Sequence, residues 1–184
     1  MMRDPPGTVR IPVAVLAERR RGATPWQDWV WRAVEVLEEA PPGLAPWTVL
    51  RRRDDGGALY FAGHAEVALH PTDTPNYRAN LAADPPRVWV VLRPVEAEPG
   101  MALHTVTVDA GEAHLYADAG NDLLESLPMP PGLRAVTEAF VARHHVERAV
   151  PKRRRHRADP EALAAGRPRG GGATPQEDEE GPAR

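Results

Sequence analysis

Cysteine is absent from this 184-residue sequence, and serine occurs once, at Ser126. A chain without cysteine forms no disulfide, has no thiolate nucleophile and cannot hold a cysteine-ligated zinc ion or iron–sulfur cluster. Ser126 lacks the flanking glycines of a nucleophile elbow, which argues against a serine hydrolase. These absences exclude several large classes of enzyme and metalloprotein.

Long apolar runs and phosphate-binding loops are also missing. No segment approaches the roughly 20 apolar residues that a membrane helix needs. The apolar run at 11–17 is followed by three arginines, whereas a signal peptide carries its positive charge before the apolar run. The glycines at 56–57 and 170–172 lack the lysine and the helix start of a P-loop. We therefore expect a soluble, cytoplasmic protein with no membrane contact.

The polar residues show no catalytic or metal-binding constellation. A metal site needs several convergent ligands, and the sequence offers only separate pairs of candidates: His64 with His70, His114 with Asp118, and His144 with His145. The carboxylates are scattered without an obvious partner. We expect no metal, no cofactor and no catalytic residue, and hence a non-enzymatic domain.

Alternating apolar residues, which are typical of strands, dominate the sequence up to residue 108. They predict strands over 9–16, 31–37, 47–51, 58–62, 65–69, 87–93 and 103–108. The segment 87–93 is apolar on both faces and rich in valine, so we expect it in the centre of a sheet. The turn Asp54-Asp55-Gly56-Gly57 predicts a hairpin, because glycine accepts positive φ.

Helical patterns follow the strands. Asp109 is suited to cap a helix over 110–119, and apolar positions at helical spacing predict a longer helix over 132–148. A shorter helical piece is predicted over 77–83. Together these elements predict an α+β fold: a mainly antiparallel sheet or small open barrel with a C-terminal capping helix. We expect residues 8–148 to form this single domain.

Three of the five tryptophans, Trp26, Trp29 and Trp31, fall within six residues. Tryptophan combines a large apolar area with one N–H group, so such a cluster either anchors a core or forms a contact surface. Thr24-Pro25-Trp26-Gln27 fits the start of a helix, but the following valines favour a short turn that leads into a strand. We favour the turn and strand, and all three tryptophans are candidate partner-binding residues.

The last part of the sequence separates charges of opposite sign. Residues 148–157 contain six Lys/Arg and no acid, so the remaining residues carry a formal net charge of −9, against −3 for the whole chain. We expect 149–184 to be a disordered tail, basic and then acidic. It is either a solvated tail or a docking element. Its candidate partner-binding residues are Lys152, Arg153, Arg154 and Arg155, which suit an acidic protein better than nucleic acid, because no aromatic side chain is interleaved for base stacking.

Several segments together resemble a proteobacterial family of formate dehydrogenase-associated proteins, whose shared domain has no assigned function. The likeness covers about residues 8–157. It is carried by Ile11-Pro12-Val13-Ala14-Val15, Glu18-Arg19-Arg20, Pro25-Trp26, Val30-Trp31-Arg32, Pro46-Trp47, Asn80-Leu81-Ala82-Ala83-Asp84-Pro85-Pro86, Val88-Trp89-Val90-Val91-Leu92-Arg93, Phe140-Val141, Arg143-His144-His145-Val146-Glu147 and Lys152-Arg153-Arg154. Members resemble accessory proteins encoded alongside molybdenum-dependent formate dehydrogenases.

Some members carry the name molybdopterin-guanine dinucleotide biosynthesis protein A. That name implies a nucleotidyltransferase with a doubly wound fold and a glycine-rich phosphate loop near the N-terminus. This chain departs from that pattern, because its first strand leads into an arginine-rich loop, Arg19-Arg20-Arg21, with only Gly22, and because strands follow one another without alternating helices.

The resemblance therefore implies a non-enzymatic accessory or maturation protein of a molybdenum-dependent formate dehydrogenase. Its protein partner would be a component of that enzyme or of its maturation machinery. Two alternatives stay open: an enzyme of molybdenum cofactor (guanine dinucleotide) biosynthesis and, more weakly, nucleic-acid binding through the basic tail.

Overall fold

The computed structural model describes residues 6–24, 28–40, 42–118 and 120–146, which form seven strands and three α-helices. The strands are β1 (Val9–Arg21), β2 (Trp29–Leu37), β3 (Thr48–Arg52), β4 (Ala58–Leu69), β5 (Arg87–Pro94), β6 (Met101–Thr107) and β7 (Leu123–Pro128). The helices are α1 (Thr74–Leu81), α2 (Ala110–Ala117) and α3 (Pro131–His144), and the 3₁₀ turn Pro71–Asp73 precedes α1. The α+β fold class predicted from the sequence is confirmed.

The strands form two open antiparallel sheets. One contains four strands in the order β2-β1-β4-β3, and the other contains three in the order β6-β5-β7. β4 packs beside β6 and β2 packs beside β7, so the sheets meet at two places and enclose one core. The Nε atom of Arg32 lies 3.3 Å from Oε1 of Glu125 and links β2 to β7. The mainly antiparallel sheet or small open barrel expected from the sequence thus takes the form of two open antiparallel sheets.

The core draws apolar side chains from both sheets and from two helices. β5 lies between β6 and β7, as its valine-rich sequence predicts, and Val90 and Val91 on its opposite faces are both fully buried. Burial of such side chains stabilises the fold by about 1.5–3 kcal/mol each. The core cluster also includes Val13, Val15, Ala33, Val36, Val67, Leu69, Val88, Leu92, Val106, Val108, Tyr77, Leu133 and Phe140.

Helices α1 and α3 pack together at the end of the fold where β1 begins and β4 ends. The rings of Tyr77 on α1 and Phe140 on α3 lie 6.2 Å apart, edge to face. The Tyr77 hydroxyl accepts a hydrogen bond from the His70 N–H at 3.0 Å. Burial raises the pKa of Tyr77 to about 12, so this hydroxyl stays protonated at neutral pH. The opposite end of β1 carries no described helix.

Several of the sequence predictions need correction. β1 continues through Arg21 instead of ending in an arginine-rich loop, and β7 was not predicted. The segments 58–62 and 65–69 are one strand, β4, and α3 ends at His144. The helical alternative for residues 25–37 is wrong over Trp29–Leu37, which is β2. It is wrong because these residues pair with β1 along its last half. The predicted tail at 149–184 lies outside the described residues.

Glu38, just after β2, caps α3 from across the fold. Its Oε1 accepts hydrogen bonds from the backbone N–H groups of Gly132 and, at 3.2 Å, of Leu133. α3 has no cap of its own, because Pro130 at its N-cap position has no side-chain acceptor. A carboxylate at this position also interacts favourably with the positive end of the helix dipole.

We expect Glu38→Ala to lower the free energy of unfolding by about 1 kcal/mol, because two N–H groups of the first turn lose their acceptor. Urea denaturation measures the change. The matched control is Glu39→Ala at the next, exposed position, where we expect a change below about 0.5 kcal/mol. An equal loss in both variants would show that Glu38 does not cap α3.

Candidate functional site

Arginine and aromatic side chains collect at the end of β1 that lies away from α1 and α3. Arg19 on β1 is directly opposite Trp31 on β2, and Arg21 is directly opposite Trp29. Directly opposed residues of an antiparallel pair share a face of the sheet. These four side chains therefore lie on one face, at the rim of the fold.

β3, the residue before it and β4 add three more side chains to this rim. Ala58 on β4 is opposite Arg19 on one side and Arg52 on the other, so the two arginines share the face across a small residue. Tyr60 follows two positions after Ala58 on the same face. Trp47 precedes β3, and its backbone N–H donates to the Phe61 carbonyl oxygen at 2.6 Å. We call the set the Arg–Trp face: Arg19, Arg21, Trp29, Trp31, Trp47, Arg52 and Tyr60.

Three rings of the Arg–Trp face contact one another. The Trp31 centroid lies 5.4 Å from that of Trp47 and 5.0 Å from that of Tyr60, and the Trp47 and Tyr60 centroids are 6.3 Å apart. Such aromatic pairs contribute about 0.5–1.5 kcal/mol beyond their buried area. Trp31 and Trp47 are half-buried and pack against the core, so this part of the face is anchored.

The guanidinium groups lie over the rings. The Cζ atom of Arg19 is 4.5 Å from the Trp29 centroid, 5.7 Å from that of Trp31 and 5.8 Å from that of Tyr60. Arg21 shares Trp29, with its Cζ at 5.4 Å. All four distances are within cation–π range. This packing explains why β1 continues through a run of arginines, since their apolar stems and planar heads cover aromatic surface.

The positive charge of the Arg–Trp face is not neutralised by the described residues. Among them, no carboxylate forms an ion pair with Arg19, Arg21 or Arg52. Among the described residues, the buried Nε atom of Arg19 has no hydrogen-bond partner. A buried donor without an acceptor costs about 1–3 kcal/mol. The face thus holds cations over rings, and Arg21 and Arg52, which are exposed, remain accessible to an acceptor from outside.

The opposite face of the same sheet is built differently. Glu18, only 7% exposed, accepts hydrogen bonds from Arg20 at 2.6 Å and from Arg53 at 3.2 Å. The Arg20 hydrogen bond holds the pKa of this carboxyl below its usual 4.5, burial opposes the effect, and the charges of Arg20, Arg53 and Arg51 add to it. On this face, therefore, a carboxylate satisfies Arg20 and Arg53, whereas none in the described part of the chain does so for the arginines of the Arg–Trp face.

We expect the Glu18 carboxylate to stabilise the fold by about 1.5 kcal/mol at neutral pH. Its folded-state pKa lies below the unfolded-state value, so the contribution is present above about pH 4.5 and is lost as the pH falls through the folded-state pKa. The difference in unfolding free energy between wild type and Glu18→Gln should shrink accordingly. Denaturation at several pH values measures it, and the exposed Glu66→Gln serves as control.

A difference between wild type and Glu18→Gln that stays constant from pH 7 to pH 3 would contradict this assignment. Glu66→Gln should change the unfolding free energy by less than about 1 kcal/mol, because its ion pair with Arg10 is exposed on both sides.

The other polar clusters consist of groups that satisfy one another. Asp109 is the predicted N-cap of α2: its Oδ1 accepts from the Gly111 N–H at 2.7 Å and the Glu112 N–H at 3.3 Å, and both its oxygens accept from the side-chain amide of Asn76. The predicted pair His114 and Asp118 lies 3.9 Å apart, with both side chains exposed. In the part of the chain that the structure describes, no three His, Asp or Glu side chains gather as possible metal ligands.

Arg93 and Asp122 form a second satisfied group. Nε of Arg93 donates to Oδ1 of Asp122 at 2.8 Å, and Nη2 donates to Oδ2 at 2.7 Å. Hydrogen bonding from Arg93 holds the pKa of the Asp122 carboxyl below its usual 3.8. This bidentate pair fixes β5 to the start of β7. The Arg–Trp face differs from it, because its cations have no such partner among the described residues.

The structure brings two of the seven predicted partner-binding residues into this site. Trp29 and Trp31 lie side by side on β2, both half-buried. Trp26 and the basic residues Lys152, Arg153, Arg154 and Arg155 lie outside the described residues. The sequence prediction missed the five other members of the face, Arg19, Arg21, Trp47, Arg52 and Tyr60. The signal that could have found part of it is the matched spacing of Arg19 and Arg21 with Trp29 and Trp31 on consecutive strands.

A protein-family model described as "Protein of unknown function (DUF3305)" matches residues 12–156. No curated protein and no solved structure matches the chain. The matched range contains every residue of the Arg–Trp face. Among the described helices, none has the length and apolar content to cross a membrane.

Proposed function

The chain belongs to the DUF3305 family of proteins of unknown function, and from this premise we propose that it is a non-enzymatic accessory protein that binds a protein partner. The binding surface is the Arg–Trp face. The partner is a component of a molybdenum-dependent formate dehydrogenase or of its maturation machinery. The resemblance of the sequence to formate dehydrogenase-associated proteins supports this choice of partner.

The observation that carries the proposal is the combination of half-buried tryptophans with cations that lack a carboxylate among the described residues. Tryptophan, tyrosine and arginine dominate the binding energy of protein interfaces, where they are found near the centre of the contact. Trp31 and Trp47 are anchored on the core and Arg19 is held over Trp29, so little side-chain freedom is lost on binding. Such a surface favours docking of a partner.

The test is a native pull-down of the tagged full-length chain from cells that express a molybdenum-dependent formate dehydrogenase. We expect a formate dehydrogenase subunit or maturation factor to co-purify with the wild type. The control is Leu115→Ala, which changes an exposed apolar residue on α2, away from the face, and should capture the partner as the wild type does.

The absence of any formate dehydrogenase component from the captured material would overturn the proposal. A rise in melting temperature with GTP or a molybdenum cofactor nucleotide would instead support the enzyme of molybdenum cofactor biosynthesis, because a ligand that binds the folded state alone stabilises it. With the accessory role, we expect no such rise.

A further inference from the structure

The geometry points to an extended acidic segment as the part of the partner that the Arg–Trp face binds, with carboxylates on alternate residues of that segment. This inference rests on the proposed function and deepens it by naming what the face recognises. It is argued from the spacing of the arginines, from the rings beside them and from the charges of the surrounding residues.

The spacing of Arg19 and Arg21 determines which positions of a bound segment should carry carboxylates. They are two positions apart on one strand and face the same way, which separates their Cα atoms by about 6.8 Å. An extended peptide repeats its side-chain direction with the same period. A segment running along β1 therefore presents the carboxylates of residues i and i+2 to the two guanidinium groups, whereas consecutive acidic residues point one of them away.

The width of the site suits one further acidic contact. Arg52 lies on the other side of Ala58 from Arg19, two strands away and hence about 10 Å across the sheet. Ala58 is small and buried, so no side chain separates the two arginines. A planar guanidinium binds a carboxylate through two parallel N–H donors. The exposed Arg52 and Arg21 can each do so from the solvent side.

The rings beside the arginines accept an apolar side chain of the same segment. The half-buried rings of Trp31 and Trp47 and the buried ring of Tyr60 form the floor of the face next to Arg19. In an extended segment, residue i+4 faces the same way as i and i+2. An apolar residue there lies over these rings while the carboxylates meet the arginines. The rings therefore give the site a preference for an apolar residue after the two carboxylates, which the charges of the arginines alone would not give.

Two observations favour an acidic peptide over nucleic acid. The Trp29 ring carries the guanidinium groups of both Arg19 and Arg21, which leaves less ring surface for a base to stack on. The chain outside the basic block at 148–157 has a formal net charge of −9, which repels a long polyanion. A short acidic segment carries few charges and meets little of this repulsion.

The test is a fluorescence-anisotropy titration of the full chain with two labelled peptides of identical composition. In one, two glutamates flank a valine and a leucine follows at the next alternate position, so that residues i, i+2 and i+4 are Glu, Glu and Leu; in the other, the same residues are rearranged so that the two glutamates are consecutive. We expect the alternating peptide to bind at least about tenfold more tightly, and binding to weaken as salt is added. Equal affinity for the two peptides would overturn the inference.

Two variants locate the site. Arg19→Gln with Arg21→Gln should weaken binding of the alternating peptide at least about tenfold, whereas Arg134→Gln, which changes an exposed arginine on α3, should leave it unchanged. Circular dichroism shows whether the double variant is folded. If it is unfolded, Arg21→Gln alone, which changes an exposed residue, is measured instead and should also weaken binding of the alternating peptide. Undiminished binding by Arg21→Gln and the double variant would overturn the inference, because the peptide would then lie on another surface. Tighter binding of a single-stranded oligonucleotide at the face would also overturn it.

These outcomes are separable from failure of the proposed function. If a formate dehydrogenase component co-purifies with the wild type and equally with the Arg19→Gln/Arg21→Gln variant, the accessory role stands and the acidic-segment inference fails. If the alternating peptide binds as expected but no formate dehydrogenase component is captured, the recognition mode stands and the partner is a different protein.

Discussion

Replacement of Asn80 by aspartate is expected to lower the free energy of unfolding by about 3 kcal/mol or more. Asn80, on α1 and only 6% exposed, ties three backbone groups together. Its Nδ2 donates to the carbonyl oxygens of Arg87 at 2.7 Å and Val108 at 2.9 Å, and its Oδ1 accepts from the Arg87 N–H at 2.8 Å. One side chain thus fixes α1 to the start of β5 and to the residue after β6.

The aspartate is nearly isosteric but loses both donors. Its second oxygen would face the carbonyl oxygens of Arg87 and Val108 in a buried place, where an unpaired charge is costly. The loss should become smaller at acid pH, because the protonated carboxyl can donate one of the two hydrogen bonds. Urea denaturation at pH 7 and pH 4 measures both effects.

The matched control for this substitution is Asn121→Asp, at an exposed position before β7. We expect it to change the unfolding free energy by less than about 0.5 kcal/mol. If Asn80→Asp cost no more than the control, the hydrogen bonds of Asn80 would contribute little, and the position of α1 on the sheets would depend on Tyr77 and its apolar neighbours instead.

The strands that could be predicted from the sequence are those whose side chains are buried by the sheet itself. The segment 87–93 was placed correctly in the centre of a sheet, because a strand covered on both faces has apolar residues at every position. β7 was missed, because Leu123–Pro128 lies at the edge of its sheet, is only partly buried and has no strong alternation. An edge strand is specified by its neighbour more than by its own sequence.

The end of β1 shows a different limit of sequence reasoning. Three consecutive arginines read as a loop when each is treated as a solvated charge. In the structure the first and third cover aromatic rings of β2, and the second pairs with Glu18. The strand therefore continues because of ring contacts with β2, whose residues follow eight or more positions later in the chain. A correct prediction of the end of β1 would have required the register between these two strands.

Only part of the candidate site could be predicted, again because the register between the strands was needed. Trp29 and Trp31 were found because they are neighbours in the sequence, whereas Trp47, Arg52 and Tyr60 lie in other segments and join them only through the pairing of β1 with β4 and of β3 with β4. No local pattern in the sequence encodes that register. The site is a property of the four-stranded sheet, with contributions from all four strands and the residue before β3.

Trp29 and Trp31 are expected to respond differently to truncation, although they are two residues apart on one face. Trp31 contacts Trp47 and Tyr60 and packs against the core. Trp29 contacts the guanidinium groups of Arg19 and Arg21 and lies near Gly56, beyond the core. The first side chain thus supports the face, and the second forms part of its accessible surface.

We expect Trp31→Ala to lower the free energy of unfolding by about 3 kcal/mol, as for other large aromatic residues packed on a core. Trp29→Ala should lower it by about 1 kcal/mol, because two partly exposed cation–π contacts are lost, yet weaken capture of the partner at least about tenfold, as expected for an interface tryptophan. Urea denaturation and quantitative pull-down measure the two effects. Equal destabilisation by both variants would make Trp29 a core residue. Undiminished capture by a folded Trp29→Ala variant would remove Trp29 from the docking surface.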